Sequence, residues 1–508
     1  MGRKDSFKRH IRRNILLAVR SGRSKPLGLL VLVQRSGAWR KVRRVGNNSL
    51  HTLEDSPARS FAVKSVKKIL IAGASSRSGK TTVTCGLLAA LKNRGLKVIV
   101  YKIGPDYIDN EYLRRSGSCE AFNLDTWLMT ESRMRELFAQ TSQGHDIAVI
   151  EGTMGLFDGG ENGTAAIAKL LDAPVVLVLN VRSMGESAAA LAMGFREYDK
   201  DLKLAGVILN FTGSSYHEQI ISSALNEKGI KVFGALRRDE ALKIPERHLG
   251  LVQAVENEKF NVEGLRAKFE SSVKIDELLR ISIVNSSQTI VNSQPQPARQ
   301  KFPARIAVAK DEAFTFRYAE SERMLESLGA EIVKFSPLHD EKLPAADGYI
   351  FGGGYPEIFA SELSSNAEML VSVKKCSRPI FAECGGMMYL CRNLNGVTMA
   401  GLLPFEAYMS DRAVMGYRTA ESLSDNLLCR KGERVRGHEY HYGRISAWPG
   451  DSLAFAMTRK NGDDAGLSGY SKGCLLASWL HVNFYGEPEI AEHFVKVCHN
   501  YHKNILAV

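Results

Sequence analysis

Short, unbroken runs of aliphatic and β-branched residues recur along this chain, separated by longer stretches in which apolar positions return at helical spacing. Before residue 281 the apolar runs are 68–72, 97–101, 147–150, 175–179 and 205–209; after residue 303 they are 305–309, 331–335, 348–351 and 379–382. None alternates strictly between apolar and polar, as a half-exposed strand would. Continuous runs predict strands buried on both faces, and the helical stretches between them, such as 82–94 and 319–328, predict crossover helices. The pattern therefore reads as α/β, with two parallel-sheet domains in one chain. Residues 281–303 (ISIVNSSQTIVNSQPQPARQKFP) break it with Ser, Asn, Gln and Pro and read as a linker. The expected layout is an N-terminal domain over 67–280, the linker, and a C-terminal domain over 304–508.

Charge changes the picture at one end. Residues 1–68 hold 18 Lys/Arg against 3 Asp/Glu, whereas the rest of the 508-residue chain holds 50 against 52. The net charge of +13 thus belongs to the leading segment, and the body is near neutral, so a nucleic-acid partner is not expected. Residues 1–66 are expected to be a solvated, disordered tail or the product of an upstream start codon. The apolar stretch 15–19 is short and lacks a nearby cleavage site, which disfavours a signal peptide. No apolar run approaches bilayer-spanning length. Eight scattered cysteines, none in a C-x-x-C pair, argue against a zinc or iron–sulfur centre and fit a reducing cytoplasm.

The densest local signal is ILIAGASSRSGKTT at 69–82. A buried strand, a Gly/Ser turn, Gly79-Lys80-Thr81-Thr82 and an apolar helix form the setting of a phosphate-binding loop. Turn N–H groups and the helix N-terminus converge on an anion, Lys80 would reach the β- and γ-phosphates, and the Thr81 hydroxyl would ligate Mg²⁺. The strict pattern would have glycine at Ala74. Two further strands end in acidic loops: YKIGPDYID (101–109) with Asp106 and Asp109, and IAVIEGTMGLFDG (147–159) with Glu151 and Asp158. Ligands of open α/β sheets sit at the carboxyl ends of strands, so these acids are placed to hold Mg²⁺ or to orient an acceptor.

The second half carries a different chemistry. PIFAECGGMMYL (379–390) places Cys384 at a sharp turn between strand and helix, a setting that favours thiolate, although Ala382 stands where a strict nucleophile elbow has glycine. FGGGYPE (351–357) can present N–H groups to an oxyanion, with Gly353, Gly354 and Gly385 as the expected donors. ASWLHVNF (477–484) supplies His481 as the candidate base for Cys384.

These motifs resemble a known family. GASSRSGKTT, KIGPDYID, NLDTW (123–127), VIEGTMGLFDG, GVILN (206–210) and IPERHLGL (244–251) follow the order found in cobyrinate a,c-diamide synthases, within the wider dethiobiotin-synthetase-like P-loop group. DEAFTFRY, FSPLHD, GGGYPE, ECGGMMYL, MGYR, RGHEYHYG and HVNF resemble the class I glutamine amidotransferase domain of the same enzymes. The resemblance implies an ATP site built from Gly79, Lys80, Thr81, Thr82 and Asn210. It implies Mg²⁺ on Thr81, Asp106 and Glu151, and a tetrapyrrole acceptor at Tyr107, Ile108 and Asp109. The catalytic pair would be Cys384 and His481, with Glu487 and Glu489 near the histidine, and His438 and His441 with open roles. The family usually has histidine where Leu113 stands, and more often histidine than Asn483.

The implied activity is amidation of the a and c carboxylates of cobyrinate with ATP and L-glutamine, through acyl phosphates, in a cytoplasmic enzyme without nucleic-acid or membrane partners; a homodimer is compatible. A nickel-sirohydrochlorin a,c-diamide synthase would share the mechanism with another macrocycle. Cobyric acid synthases lack the GPDYID and EGTMGLFDG forms. A ParA-like switch protein would have ATP-dependent dimerisation and no glutaminase, which the ECGG elbow argues against.

Overall fold

The structure is a computed structural model. It describes residues 66–506 except 240–243, a few positions between 248 and 258, and 283–298; of the leading segment it describes three strands within 30–52. Those strands, β1 (Leu30–Arg35), β2 (Ala38–Arg44) and β3 (Leu50–Thr52), form an antiparallel sheet within the segment expected as a basic tail. These strands belong to a unit separate from the rest of the chain. Most of the predicted linker lies outside the described residues.

The N-terminal domain is built on parallel strands β4 (Lys67–Gly73), β5 (Val98–Ile103), β6 (Ala121–Leu124), β7 (Ile147–Glu151), β8 (Val175–Asn180), β9 (Leu204–Thr212) and β10 (Val232–Arg237). Among the described residues their order is β10-β9-β8-β4-β7-β5-β6. Sequence pattern predicts five of these strands. It misses β6 and β10, whose short runs are interrupted by Asn123 and Gly234. With β4 between β7 and β8, the loops after β4, β5 and β7 rise at neighbouring strand ends, where a ligand would sit.

Helix α1 (Lys80–Asn93) follows the phosphate loop and is buried over most of its length. Its Gly86 leaves room for Phe269 of α3 (Val262–Ser272); a Cβ there would lie 2.8 Å from Phe269 Cδ2. Helix α2 (Ile108–Gly117) packs beside α1. Leu113, at the position where the family usually has histidine, is fully buried in this apolar layer and does not line the cavity described below.

In the C-terminal domain, parallel strands β11 (Ala304–Ala309), β12 (Ala330–Phe335), β13 (Gly348–Phe351) and β14 (Ile380–Glu383) match prediction. The sheet does not stay parallel. It continues through β19 (Leu475–Ser478), which is parallel to β14, into antiparallel β18 (Asp464–Lys472), β17 (Leu453–Arg459), β15 (Ala407–Ser422) and β16 (Arg434–Ile445), while β20 (His481–Val482) pairs with β16. The long β15–β16 pair escapes the sequence pattern because polar and charged residues stand among its apolar ones over most of its length.

The two domains lock along the NLDTW segment. Asn123 N–H donates to Glu320 (3.4 Å), Tyr417 donates to Asp125 (2.6 Å), and Trp127 Nε1 donates to the Gly437 carbonyl (3.3 Å). Arg133 donates to the Tyr485 carbonyl at 2.7 Å and covers its ring at 4.3 Å. Asn483 donates to the other Glu320 oxygen at 2.9 Å, so this asparagine anchors a buried carboxylate.

Removing Phe269, which is 1 % exposed, should leave a cavity between α1 and α3. Phe269→Ala is expected to destabilise the N-terminal domain by about 3–5 kcal/mol, read as a lowered urea midpoint.

Candidate functional site

The phosphate loop turns at two left-handed residues, Arg77 (φ 61°) and Gly79 (φ 88°), before α1 begins at Lys80. Glycine is required at 79 on two counts: the positive φ, and the Asn210 amide where a Cβ would go. Asn210 donates to the Ser78 carbonyl at 3.0 Å and accepts from Phe211 N–H at 3.0 Å, so it braces the loop from β9. Lys80 Nζ donates to the Met154 carbonyl at 2.6 Å, tying the loop to the EGTMG segment. Burial and the nearby Lys102 lower the Lys80 ammonium to about 8.

The acids gather at the neighbouring strand ends around Lys102, a lysine that the motif reading overlooked. It is 2 % exposed, at the end of β5, and its ammonium meets Asp109 at 2.5 Å and Glu151 at 2.6 Å. Buried carboxylates need such a partner. Against the cost of burial, Lys102 holds the Asp109 carboxyl below its ordinary value, and Asp109 and Glu151 hold the ammonium well above its own. Asp106 caps α2, accepting from Ile108 N–H at 2.9 Å, and burial beside Asp109 pushes it to about 7. Thr81 Oγ1 lies 2.9 Å from Glu151 Oε1.

Whether a divalent cation suits this place can be judged from the donors. Glu151 Oε2 is buried without a hydrogen-bond partner, beside the Thr81 hydroxyl. Hard oxygen donors of this kind fit Mg²⁺ that is also held by phosphate. Among the described residues no group of three His, Cys, Asp or Glu is placed to hold a metal ion by itself. Asp158 turns inward to cap the Gly155 N–H at 2.9 Å.

In the other domain, Cys384 sits between β14 and α4 (Gly385–Leu390) at φ 47°, ψ −106°. This backbone is strained for a residue with a Cβ and costs roughly 1–3 kcal/mol. The glycines around it are sterically required: a Cβ on Gly353 would lie 2.6 Å from His481 Cε1, and one on Gly385 would lie 2.9 Å from Gly354 N. His481, 1 % exposed, interacts with the Cys384 thiol, and its Nδ1 is 3.9 Å from Glu383 Oε2. Burial opposes the imidazolium, but Cys384 and Glu383 outweigh it and raise His481 to about 10. The carboxylate beside His481 is therefore Glu383, next to Cys384 in sequence. Glu487 pairs with Arg436 (3.0 Å) and Glu489 with Arg299 (2.9 Å). Glu383 escapes motif reading because it looks like the last residue of a strand. Its Oε1 accepts from Val482 N–H at 2.8 Å, which fixes the carboxylate.

Tyr107 joins the two clusters. Its ring stacks on Phe316 (5.0 Å, 6°) and lies 4.5 Å from Tyr318, 5.8 Å from His438 and 5.4 Å from His481. Two residues further on, Asp109 holds Lys102. His438 stacks on His481 at 5.0 Å, and burial keeps its imidazole neutral. His441 stacks on Trp479 at 4.1 Å and is bonded to the Gly443 carbonyl. Every residue expected at the nucleotide, metal and acceptor sites except Glu151 lines one cavity of about 1560 Å³, which residues of β15 and β16 also enclose. Glu151 lies just beneath it, under Lys102. No helix among the described residues is long and apolar enough to cross a membrane.

Comparison with known proteins agrees with this division. Residues 69–252 match the CobQ/CobB/MinD/ParA nucleotide binding domain, and residues 305–489 match the CobB/CobQ-like glutamine amidotransferase domain. The cobyrinate a,c-diamide synthase of Picrophilus torridus is 40% identical over 86% of this chain and 99% of its own length. That of Methanothermobacter thermautotrophicus is 40% identical over 84% and 99%. The hydrogenobyrinate a,c-diamide synthase of Streptomyces coelicolor is 38% identical over 85% and 98%. With a phosphate loop, a buried acid cluster and a Cys–His pair set in one body, and with likeness spanning both domains, the chain belongs to the cobyrinate a,c-diamide synthase family.

Proposed function

We propose that this protein amidates the a and c side-chain carboxylates of cobyrinate in succession, consuming ATP and L-glutamine. The observation that carries this reading is the loop at 104–109, which touches the glutaminase base with Tyr107 and the Lys102 cluster with Asp109. Cys384 Sγ attacks the glutamine side-chain carbonyl, and N–H groups near Gly353, Gly354 and Gly385 hold the oxyanion. The carbon–nitrogen bond breaks as His481 gives its proton to the departing ammonia. Water then cleaves the thioester to glutamate.

In the N-terminal domain an acceptor carboxylate oxygen takes the γ-phosphoryl group of ATP, and ADP leaves. Ammonia attacks the acyl phosphate, and phosphate leaves. Lys80 and the loop N–H groups hold the phosphates, and Asn210 keeps the loop in shape. Thr81, Asp106 and Glu151 would hold Mg²⁺, which supplies charge neutralisation at the phosphates. Lys102 pairs with both Asp109 and Glu151 and holds them in place. Tyr107, Ile108 and Asp109 face the acceptor. All eight cysteines are free thiols, which supports a reducing, cytoplasmic setting.

The direct test is mass spectrometry of macrocycle products after incubation with ATP, Mg²⁺ and glutamine, offering cobyrinate, hydrogenobyrinate and nickel-sirohydrochlorin separately. Two replacements of carboxyl OH by NH₂ on cobyrinate are expected; consumption of ATP and glutamine without any amide product refutes the reading. Cys384→Ala should abolish amidation driven by glutamine and retain that driven by ammonium salts.

Glu383 helps to keep His481 protonated, so activity that needs the imidazolium extends to higher pH in its presence. In Glu383→Gln the histidine loses its proton at lower pH. The alkaline limb of the glutaminase pH–rate profile should shift towards neutrality and kcat should fall about 10-fold or more. Lys102→Met leaves two buried acids unpaired, at a cost of about 3–5 kcal/mol. It should abolish ammonia-driven amidation, measured alongside a lowered thermal midpoint.

A further inference from the structure

One face of the β15–β16 pair looks into the cavity that holds the phosphate loop. Strand pairing sets Met415 opposite Tyr440 and Tyr417 opposite His438. Alternate residues of a strand share a face, so Met415, Tyr417, His438, Tyr440 and Tyr442 form one stripe of rings and a thioether. All five line the cavity. The deep end is fixed: His438 stacks on His481, and Tyr417 is tied through its hydroxyl to Asp125. The outer end is open, with Met415 60 % and Tyr440 37 % exposed. A buried Arg418–Glu439 pair at 2.8 Å stiffens the same strands.

Large apolar side chains standing exposed at the mouth of a cavity mark a ligand surface. The other walls say which ligand. Arg77, Arg182, Arg237 and Arg238 line the same space, a set of cations suited to a ligand with several carboxylates. A space of about 1560 Å³ exceeds the roughly 300–1,000 Å³ of ordinary small-molecule sites, which suits a nucleotide and a second bulky molecule together. The stripe also begins at the imidazole that touches the glutaminase base, so a flat ligand lying on it has one edge towards the ammonia source and another towards the phosphate loop.

We propose that this stripe of the amidotransferase domain is the platform on which the tetrapyrrole ring of the acceptor lies, with the arginines meeting its peripheral carboxylates. The inference rests on the amidation reading above and assigns half of the acceptor site to the domain that does not bind ATP.

The test titrates full-length protein with cobyrinate in the absence of ATP, following the quenching of intrinsic fluorescence; Trp127 lies 5.6 Å from Tyr417 and reports from the platform's deep end. Met415→Glu and Tyr440→Glu place a carboxylate under the ring and should weaken cobyrinate binding about 10-fold or more. Tyr440→Phe, which keeps the ring, should bind as wild type, and so should Tyr216→Glu, a change at a 73 % exposed tyrosine outside the cavity. In steady state the acceptor KM should rise in the two platform variants while the KM values for ATP and glutamine stay put. Unchanged cobyrinate affinity in both glutamate variants, or an ATP KM that rises in parallel, overturns the platform while wild-type amidation leaves the function standing. A wild-type protein that neither binds nor amidates cobyrinate overturns both.

Discussion

The position of the loop at 104–109 is set by one buried side chain. The Asn123 amide donates to the Gly104 and Asp106 carbonyls, both at 2.8 Å, and its oxygen accepts from Asn110 at 2.6 Å. These bonds clamp a segment that would otherwise be an exposed turn. Everything downstream depends on where that segment lies: Asp106 caps α2, Tyr107 reaches the neighbouring domain, and Asp109 meets Lys102. The backbone N–H of the same asparagine contacts Glu320, so the clamp is part of the domain interface. Packing between the domains and placement of the phosphate-side acids are one structural problem with one solution.

The glutaminase cluster is solved differently, by removing atoms. Cys384 is held in a strained turn, and its neighbours approach closely because Gly353, Gly354 and Gly385 carry no Cβ. Strain persists only where the surroundings over-determine it. Here the determinants are the Cys384 N–H bond to the Ser478 carbonyl at 2.8 Å and a core that buries Met387, Met388 and Leu390 directly behind it. His481 on the short strand β20 is fixed by pairing with His438, so one strand pair positions both histidines.

Much of this was legible in residue pattern. Unbroken apolar runs located nine parallel strands, and the phosphate loop and cysteine turn announced themselves because each combines a strand, small residues and a helix. What stayed hidden has a common cause. Lys102 and Glu383 are charged residues at strand ends, where sequence suggests solvent; only the converging loops reveal that both are buried and paired. The NLDTW segment reads as an ordinary turn until the second domain supplies partners for Asn123, Asp125 and Trp127. Strands β15 and β16 escape the pattern because charged residues such as Asp411, Arg412 and Arg436 break up their apolar ones, and Leu113 stands out only until the helix turns that position into the core.

The ring of Tyr107 is shared property. It contributes a wall to the cavity at the phosphate loop and stands 5.4 Å from His481, so neither half of the molecule has a complete boundary without the other. Splitting the chain between its domains, or grafting either half onto a foreign partner, therefore exposes the Tyr107 ring on one piece and the side of the His481 imidazole that it covers on the other. Fusion in a single polypeptide keeps those two surfaces at permanent high effective concentration, which makes linkage itself a working part of the enzyme.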